Sequence, residues 1–248
     1  MELCDFIVPG TGIVDSIGIG PLKISVAPRV YRKVAGLTQQ SQISSMHHAG
    51  VGNCDTTMKA TLRMLRAFVD KNGPANATGH SQGAFQLARI FVEEPDLFNE
   101  VILLDGPLNG SEVARAGAHI AAGFGGMTPQ SKSVRDLQAR LAETTVEQRR
   151  RLHLYAASTG VFVLPHVSAL CNLEGIDNVW VGKGHPLDLR SYTRFIKSPK
   201  LNGHIALIRN KLVLADVRQI FELSGYANVV RLIPQQSSIG PVSIPASS

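Results

Sequence analysis

The stretch Ala77-Thr78-Gly79-His80-Ser81-Gln82-Gly83-Ala84 decides how this sequence is interpreted. It places a serine between two glycines, in the order Gly-x-Ser-x-Gly. A turn this sharp between a strand and a helix leaves no room for side chains at the two glycine positions. The hydroxyl of Ser81 then projects from the tip of the turn, and the backbone N–H of Gln82 points toward the same place. This geometry suits a nucleophile beside one half of an oxyanion hole.

The residues on both sides of this turn have the pattern that it needs. Residues 74–78 are small and follow the helix stop Lys71-Asn72-Gly73, as expected for a short buried strand. From Gln82 onward, apolar residues recur with helical spacing until Glu93-Glu94-Pro95. The sequence therefore predicts a strand, a tight turn and a helix in the required order.

The rest of the chain predicts further strands and helices in alternation. Residues up to about 52 look irregular after the first strand, apart from a candidate strand at 41–47, and the segment after His185 looks like a polar connection. The other predicted strands are 3–8, 100–104, 152–157 and 178–181, and the predicted helices are 54–72, 133–141, 146–152 and 216–223. Such alternation predicts an α/β fold whose central sheet is mostly parallel, with right-handed crossovers and helices on both faces.

Candidate functional residues follow several of the predicted strands directly. Thr11 comes after the first strand, in Pro9-Gly10-Thr11-Gly12, and Asp105 comes after the strand at 100–104. In parallel sheets of this kind, sites lie at the carboxyl ends of the strands. We therefore expect Thr11, Ser81, Asp105 and the region after Val181 to converge at one edge of the sheet.

These motifs together resemble α/β-hydrolases of the lipase and esterase kind, over roughly residues 3–223. The segment from Val8 to Gly12, combined with Ser81-Gln82-Gly83, resembles the oxyanion-hole segments of lipases of the yeast lipase B type. The stretch Leu104 to Ser111 resembles a Thr-Pro-His-x-Gly-Ser segment of bacterial lipases, with Pro107, Gly110 and Ser111 matching. Gly203-His204-Ile205-Ala206-Leu207 resembles the catalytic-histidine segment of small bacterial lipases.

The resemblance implies the α/β-hydrolase fold and a Ser-His-Asp triad that works through an acyl-enzyme, with no cofactor and no metal. Ser81 would be the nucleophile and His204 the base, while Thr11 and Gln82 would form the oxyanion hole. His185 is the alternative base, because it follows its strand at once. His204 is favoured because a glycine precedes it, apolar residues follow it, and the closing helix comes next.

The acid departs from the pattern of these lipases. They carry it in a Ser-x-Asp-x-x-Val segment, and the matching residues 157–163 of this chain contain no carboxylate. Asp105 is the best substitute, because it ends the preceding strand, from which the pancreatic-type lipases are known to supply their acid. Otherwise the site is a dyad, or the protein is not a hydrolase.

Composition excludes several other classes of protein. The chain of 248 residues is 44% hydrophobic and 18% charged, has a net charge of +6, and contains no apolar run long enough for a transmembrane segment. Its basic residues are scattered, and the densest cluster, Arg149-Arg150-Arg151, is predicted to be a solvated helix face rather than a nucleic-acid site. The three cysteines lack Cys-x-x-Cys spacing, so neither a disulfide framework nor a zinc site is expected.

The expected organisation is one α/β-hydrolase domain over residues 1–232, followed by an extended or disordered tail at 233–248. Residues 112–151 are either a lid over the site or ordinary packing helices. No signal-peptide pattern opens the chain, so a cytoplasmic protein or a mature secreted form is expected. The expected substrate is a small-molecule or lipid ester with an apolar acyl group. A thioesterase or acyltransferase acting on a carrier-bound acyl group, and a non-catalytic binding protein, are the alternatives, and the sequence predicts no oligomeric state.

Overall fold

The computed structural model describes residues 4–10, 16–19, 22–25, 32–35, 37, 40–43, 54–118, 122–160, 162–184, 192–200 and 203–232. The strands are β1 Cys4–Val8, β2 Ser16–Ile19, β3 Leu22–Ser25, β4 Gln40–Ile43, β5 Ala75–His80, β6 Phe98–Leu104, β7 Leu152–Ala157, β8 Asp177–Gly182 and β9 Arg194–Lys197. Seven of them form one sheet in the order β4-β1-β5-β6-β7-β8-β9, and every neighbouring pair in it is parallel. β2 and β3 form a separate antiparallel pair.

Helices cover both faces of the sheet. They are α1 Arg32–Ala35, α2 Cys54–Asn72, α3 Gln82–Glu93, α4 Glu112–Gly117, α5 Ala122–Gly125, α6 Lys132–Glu143, α7 Val146–Arg149 and α8 Lys211–Leu232, with 3₁₀ turns at Pro95–Leu97, His166–Ala169 and Leu207–Arg209. Within the described ranges, no helix has the length and apolar character that crossing a membrane requires.

The core is divided into two layers by the sheet. Phe6 and Val8 of β1 pack with α2, α3 and α6 on one face, while Ile7 packs with α1 and α8 on the other. All six residues of β5 are buried, because helices cover this central strand from both sides. The α/β fold with a parallel sheet between two helical layers is therefore confirmed.

Three features of the fold differ from the sequence-based prediction. The pair β2–β3 lies in the region expected to be irregular, and β9 lies in the segment expected to be a polar connection. Each of these strands has four residues, which is too short for a period-two pattern to stand out. The last helix also begins earlier than predicted, because Oδ1 of Asn210 accepts the N–H of Leu212 at 3.0 Å and caps its first turn.

The arginine cluster is not the solvated helix face that the sequence predicted. Arg149 is only 8% exposed and donates to the carbonyl oxygens of Glu174 (2.7 Å) and Leu141 (3.3 Å). Arg151 donates to the carbonyl oxygen of Phe98 at 2.8 Å, and only Arg150 of the three is exposed. Two of the three guanidinium groups therefore satisfy backbone carbonyls, in the last turn of α6, at the start of β6 and in the turn before β8.

The segment 112–151 has two parts with different surroundings. Its second part contains α6, whose residues Val134, Leu137 and Leu141 are buried in the main core. Its first part contributes Ala114, Phe124 and Met127 to the wall of a cavity described below.

Candidate active site

Ser81 lies at the turn between β5 and α3 with a strained backbone. Its φ is 56° and its ψ is −124°, a conformation that costs a residue other than glycine on the order of 1–3 kcal/mol. Two hydrogen bonds hold it there. The N–H of Ser81 donates to the carbonyl oxygen of Leu104 at the end of β6 (2.9 Å), and the carbonyl oxygen of Ser81 accepts the N–H of Phe85 (3.2 Å).

The glycines on either side are required by close contacts between elements. A Cβ at Gly79 would lie 2.6 Å from the Cα of Ala84, a residue in the first turn of α3. A Cβ at Gly83 would lie 2.2 Å from the carbonyl oxygen of Val8. The second glycine is therefore needed because α3 packs directly on the end of β1, a reason that the local sequence does not reveal.

The loop after β1 passes beside Ser81. A Cβ at Gly10 would come within 2.8 Å of the Cβ of Ser81 and within 3.0 Å of Nδ1 of His80. Thr11, the other predicted oxyanion donor, follows Gly10 but lies outside the described residues. Gln82, the first predicted donor, is buried and is the first residue of α3.

Asp105 follows β6, and both oxygens of its carboxylate are held by hydrogen bonds. Its side chain is buried, its Oδ1 accepts the N–H of Ala157 at 3.1 Å, and its Oδ2 lies 2.6 Å from Nδ1 of His204. Its own N–H donates to the carbonyl oxygen of Tyr155 at 2.7 Å. Asp105 is the residue that the sequence analysis chose as the substitute acid, and its carboxylate contacts His204, the favoured base.

His204 is held between the ends of β5 and β7. Gly203 forms a parallel bridge with Thr159, and the N–H of Ala206 donates to the carbonyl oxygen of Gly203 at 2.9 Å. A carboxylate can only accept, so Nδ1 of His204 donates to Asp105, and in the neutral ring Nε2 is then the acceptor. The alternative base, His185, lies outside the described residues.

The position at which the resembling lipases carry their acid lies beside His204 but is unsuited to a carboxylate. Gly160 has a φ of +135°, which residues with side chains rarely adopt. A Cβ there would lie 3.3 Å from the backbone nitrogen of His204. This segment therefore supports the histidine with its backbone, while the carboxylate comes from the neighbouring strand.

Ser81 and His204 line the same cavity, which has a volume of about 340 Å³. The remaining described lining residues are mostly apolar: Pro107, Ala114, Phe124, Met127, Phe162, Val163 and Ile205, together with His80 and Ser111. None of these described residues carries a fixed charge. The hydroxyl of Ser111 is occupied in the wall, where it donates to the carbonyl oxygen of Phe162 at 3.1 Å.

His80 is a component of this site that the sequence-based prediction did not include. Its side chain is 1% exposed, and its ring centroid lies 4.6 Å from that of His204. Burial, together with the neighbouring His204, lowers the pKa of His80 to about 3, so its ring is neutral at physiological pH. Its only signal in the sequence was its place directly before Ser81.

Comparison with known proteins shows similarity in structure but not in sequence. No protein-family model matches this chain, and no curated protein matches it. Among solved structures, the lin2722 gene product of Listeria innocua is 11% identical, covers 90% of this chain and 94% of its own, and has a TM-score of 0.56. The structure described with the metagenome-derived lipolytic enzymes LipS and LipT gives the same values.

An esterase from Pyrobaculum calidifontis is also similar, with 13% identity, coverage of 92% of this chain and 77% of its own, and a TM-score of 0.52. At such low identity these likenesses establish the fold alone. Together with the parallel sheet and the two helical layers, they define this chain as a protein with the α/β-hydrolase fold.

Proposed function

We propose that this protein is a serine hydrolase that cleaves carboxylic esters of apolar acyl groups through an acyl-enzyme. The observation that carries the proposal is the 2.6 Å contact between Asp105 and Nδ1 of His204, at the edge of the cavity that Ser81 lines. In such an arrangement the imidazole accepts the proton of the serine hydroxyl, while the carboxylate orients the ring and stabilises the imidazolium that forms.

In the proposed reaction, Oγ of Ser81 attacks the ester carbonyl carbon as its proton moves to Nε2 of His204. The tetrahedral intermediate collapses when Nε2 returns that proton to the leaving alkoxide, which releases the alcohol and leaves the acyl group on Ser81. Water then attacks the acyl-enzyme as it gives a proton to Nε2 of His204, and Nε2 passes this proton to Oγ of Ser81 as the acyl–Oγ bond breaks, which releases the carboxylic acid and restores the serine hydroxyl. Asp105 keeps the proton on Nδ1 throughout.

The backbone N–H of Gln82 is the first proposed oxyanion donor. At the first position of a helix, an N–H points out of the N-terminus, where the helix dipole also favours negative charge. Thr11 is the second proposed donor, and the close approach of Gly10 to Ser81 supports it. Losing one such donor typically costs about 3–4 kcal/mol of transition-state stabilisation.

The chemistry of the cavity supports an apolar acyl group. Its described lining carries no fixed charge and offers aromatic and aliphatic side chains, so a charged acyl group would lose hydration without gaining a partner. The proposed substrate is therefore a neutral small-molecule or lipid ester.

A fluorophosphonate probe tests the proposal directly, because it labels only a serine activated as a nucleophile. We expect stoichiometric labelling of the wild-type protein, and no labelling or ester hydrolysis by Ser81→Ala. A folded wild-type protein that neither reacts with the probe nor hydrolyses any ester in a short-chain to medium-chain panel would favour the non-catalytic alternative. Faster turnover of thioesters than of matched oxyesters would instead favour the thioesterase alternative.

A further inference from the structure

His80 contacts the backbone of His204 as well as its ring. Nε2 of His80 lies 3.1 Å from the carbonyl oxygen of His204. A carbonyl oxygen can only accept, so Nε2 of His80 carries a proton and donates it. Both side chains are buried, which makes this hydrogen bond a contact shielded from water.

The opposite edge of the same ring faces the loop after β1. A Cβ at Gly10 would lie 3.0 Å from Nδ1 of His80, so the ring edge and this backbone are in close approach. Because the ring is neutral and its proton is on Nε2, Nδ1 presents a lone pair to this loop. The loop continues directly into Thr11, the second proposed oxyanion donor.

We propose that His80 is a positioning residue that ties the backbone of His204 to the loop after β1 and so fixes the base relative to Ser81 and the oxyanion donors. The inference rests on the proposed function, since it assigns His80 a part in that reaction. His80 directly precedes Ser81 in the chain, so it is covalently linked to the proposed nucleophile and hydrogen-bonded to the proposed base.

Histidine has chemical advantages for this task over other residues of similar size. Its ring offers a donor and an acceptor on opposite edges, whereas phenylalanine offers neither, and glutamine carries both groups at one end. Its neutrality also matters, because a cation at this position would repel the imidazolium that forms on His204 during the reaction. Burial favours the neutral ring, so the position suits histidine chemically as well as sterically.

The test compares His80→Phe, which keeps a ring but has no donor, with His80→Gln, which restores a donor. Displacing a catalytic group by about 1 Å costs on the order of 100-fold in rate, so we expect His80→Phe to lower kcat roughly 10- to 100-fold. The fall in kcat should exceed any change in KM, because phenylalanine keeps a ring in the cavity wall and removes only the hydrogen bond that positions His204. His80→Gln should recover part of the lost kcat.

An NMR measurement on protein with ¹⁵N-labelled histidine provides a readout that does not depend on hydrolysis. We expect His80 to show a protonated Nε2 and an unprotonated Nδ1 between pH 5 and pH 8. The proton between Asp105 and His204 should resonate at low field and exchange slowly with water. In His80→Phe this proton should exchange faster, because the loop that carries His204 has lost its hydrogen bond.

His166→Phe is the matched control, since His166 lies on the turn His166–Ala169 and is not among the cavity residues. A second variant without a donor, His80→Met, covers the case in which His80→Phe does not fold. Wild-type kcat and wild-type proton exchange in either folded donor-free variant would overturn the inference. Retained hydrolysis by Ser81→Ala would overturn the proposed function instead, so the two failures are distinguishable.

Discussion

The carboxylate of Asp105 is fixed to the neighbouring strand by the N–H of Ala157, which it accepts on Oδ1 at 3.1 Å. Its other oxygen contacts His204, a residue 99 positions away in the chain. Because each oxygen already accepts one hydrogen bond from a different element, the side chain cannot turn without losing a buried contact. Rotation of the carboxylate is thus blocked even before a substrate binds.

Asp105→Asn should lower kcat by orders of magnitude while the protein stays folded. Asparagine tolerates the positive φ of 48° found at this position, so the backbone has no reason to change. Its amide oxygen can accept from Ala157, but its NH₂ group then faces Nδ1 of His204 and forces the proton onto Nε2. A histidine in that tautomer cannot accept the serine proton, and an equivalent change in a serine protease costs about 10⁴-fold.

Steady-state kinetics and thermal unfolding of Asp105→Asn check this prediction together. Turnover within tenfold of wild type, in a protein with the wild-type melting temperature, would contradict the role of Asp105 as the triad acid.

The two histidine candidates are separated by a matched pair of variants. His204→Ala should lose nearly all ester hydrolysis, because it removes the imidazole that contacts Asp105. His185→Ala should keep most of it. Initial rates on a short-chain nitrophenyl ester measure both, and the reverse pattern would transfer the role of base to His185.

Ser81→Gly should be inactive but more stable than Ser81→Ala. The φ of 56° and ψ of −124° strain every residue that has a Cβ, and glycine removes this strain at an entropic cost of about 0.5–1 kcal/mol. We expect the free energy of unfolding of Ser81→Gly to exceed that of Ser81→Ala by about 1 kcal/mol. Urea titrations of both variants measure the difference, and equal midpoints would mean that the turn is not strained.

The length of the acyl chain should change kcat/KM in a predictable way. Each methylene buried in the apolar cavity contributes about 0.8 kcal/mol, so kcat/KM should rise about fourfold per added methylene until the chain meets the far wall. Phe124 and Met127 are large side chains that line this cavity, and truncating Phe124 enlarges it. Phe124→Ala should therefore move the preferred acyl chain to a longer one.

A series of nitrophenyl esters from acetate to decanoate measures this shift. Leu223→Ala is the control. Leu223 is 61% exposed on α8, so this substitution removes a large apolar side chain from the protein surface and not from the cavity. An unchanged preference in Phe124→Ala would mean that the acyl group does not occupy this cavity.

A separate ionic network lies near the amino ends of the central strands. His153 is bonded through Nδ1 to Asp177 and through Nε2 to Glu100, both at 3.0 Å. Arg194 of β9 bridges Asp177 to Asp216 of α8. Burial opposes protonation of His153, but its hydrogen bonds to the two carboxylates outweigh that effect, and the pKa of His153 is raised above 6.5.

The raised pKa of His153 predicts how stability depends on pH. Its ion pairs contribute fully below the unfolded pKa of about 6.5, and their contribution is lost as pH rises through the folded pKa. The difference in unfolding free energy between wild type and His153→Gln should therefore be larger at pH 6 than at pH 9. Urea unfolding at both pH values measures it, with His166→Gln as control, and a pH-independent difference would contradict the charged state of His153.

The local parts of the site were predictable from the sequence. The contacts that require Gly79 and the helical pattern after Ser81 concern residues that are close in the chain, whereas the contact that requires Gly83 is with the distant Val8. The bounds of α2 and β7 were predicted residue for residue, because their apolar patterns are long or clearly ended. The burial of Arg149 was not predictable, since its acceptors Leu141 and Glu174 belong to segments that only the fold brings together.

The sequence by itself predicted that Ser81 stands in a tight strand-to-helix turn, that the sheet is mostly parallel, and that Ser81 and Asp105 lie at one edge of it. Only the tertiary structure decided that Asp105 reaches His204 and that His80 bonds to its backbone. Periodicity and turn chemistry act over a few residues, whereas these contacts depend on the order of strands in the sheet. The pairing of β6 with β7 places Asp105 beside Ala157. In this position one carboxylate oxygen accepts the N–H of Ala157 and the other reaches Nδ1 of His204.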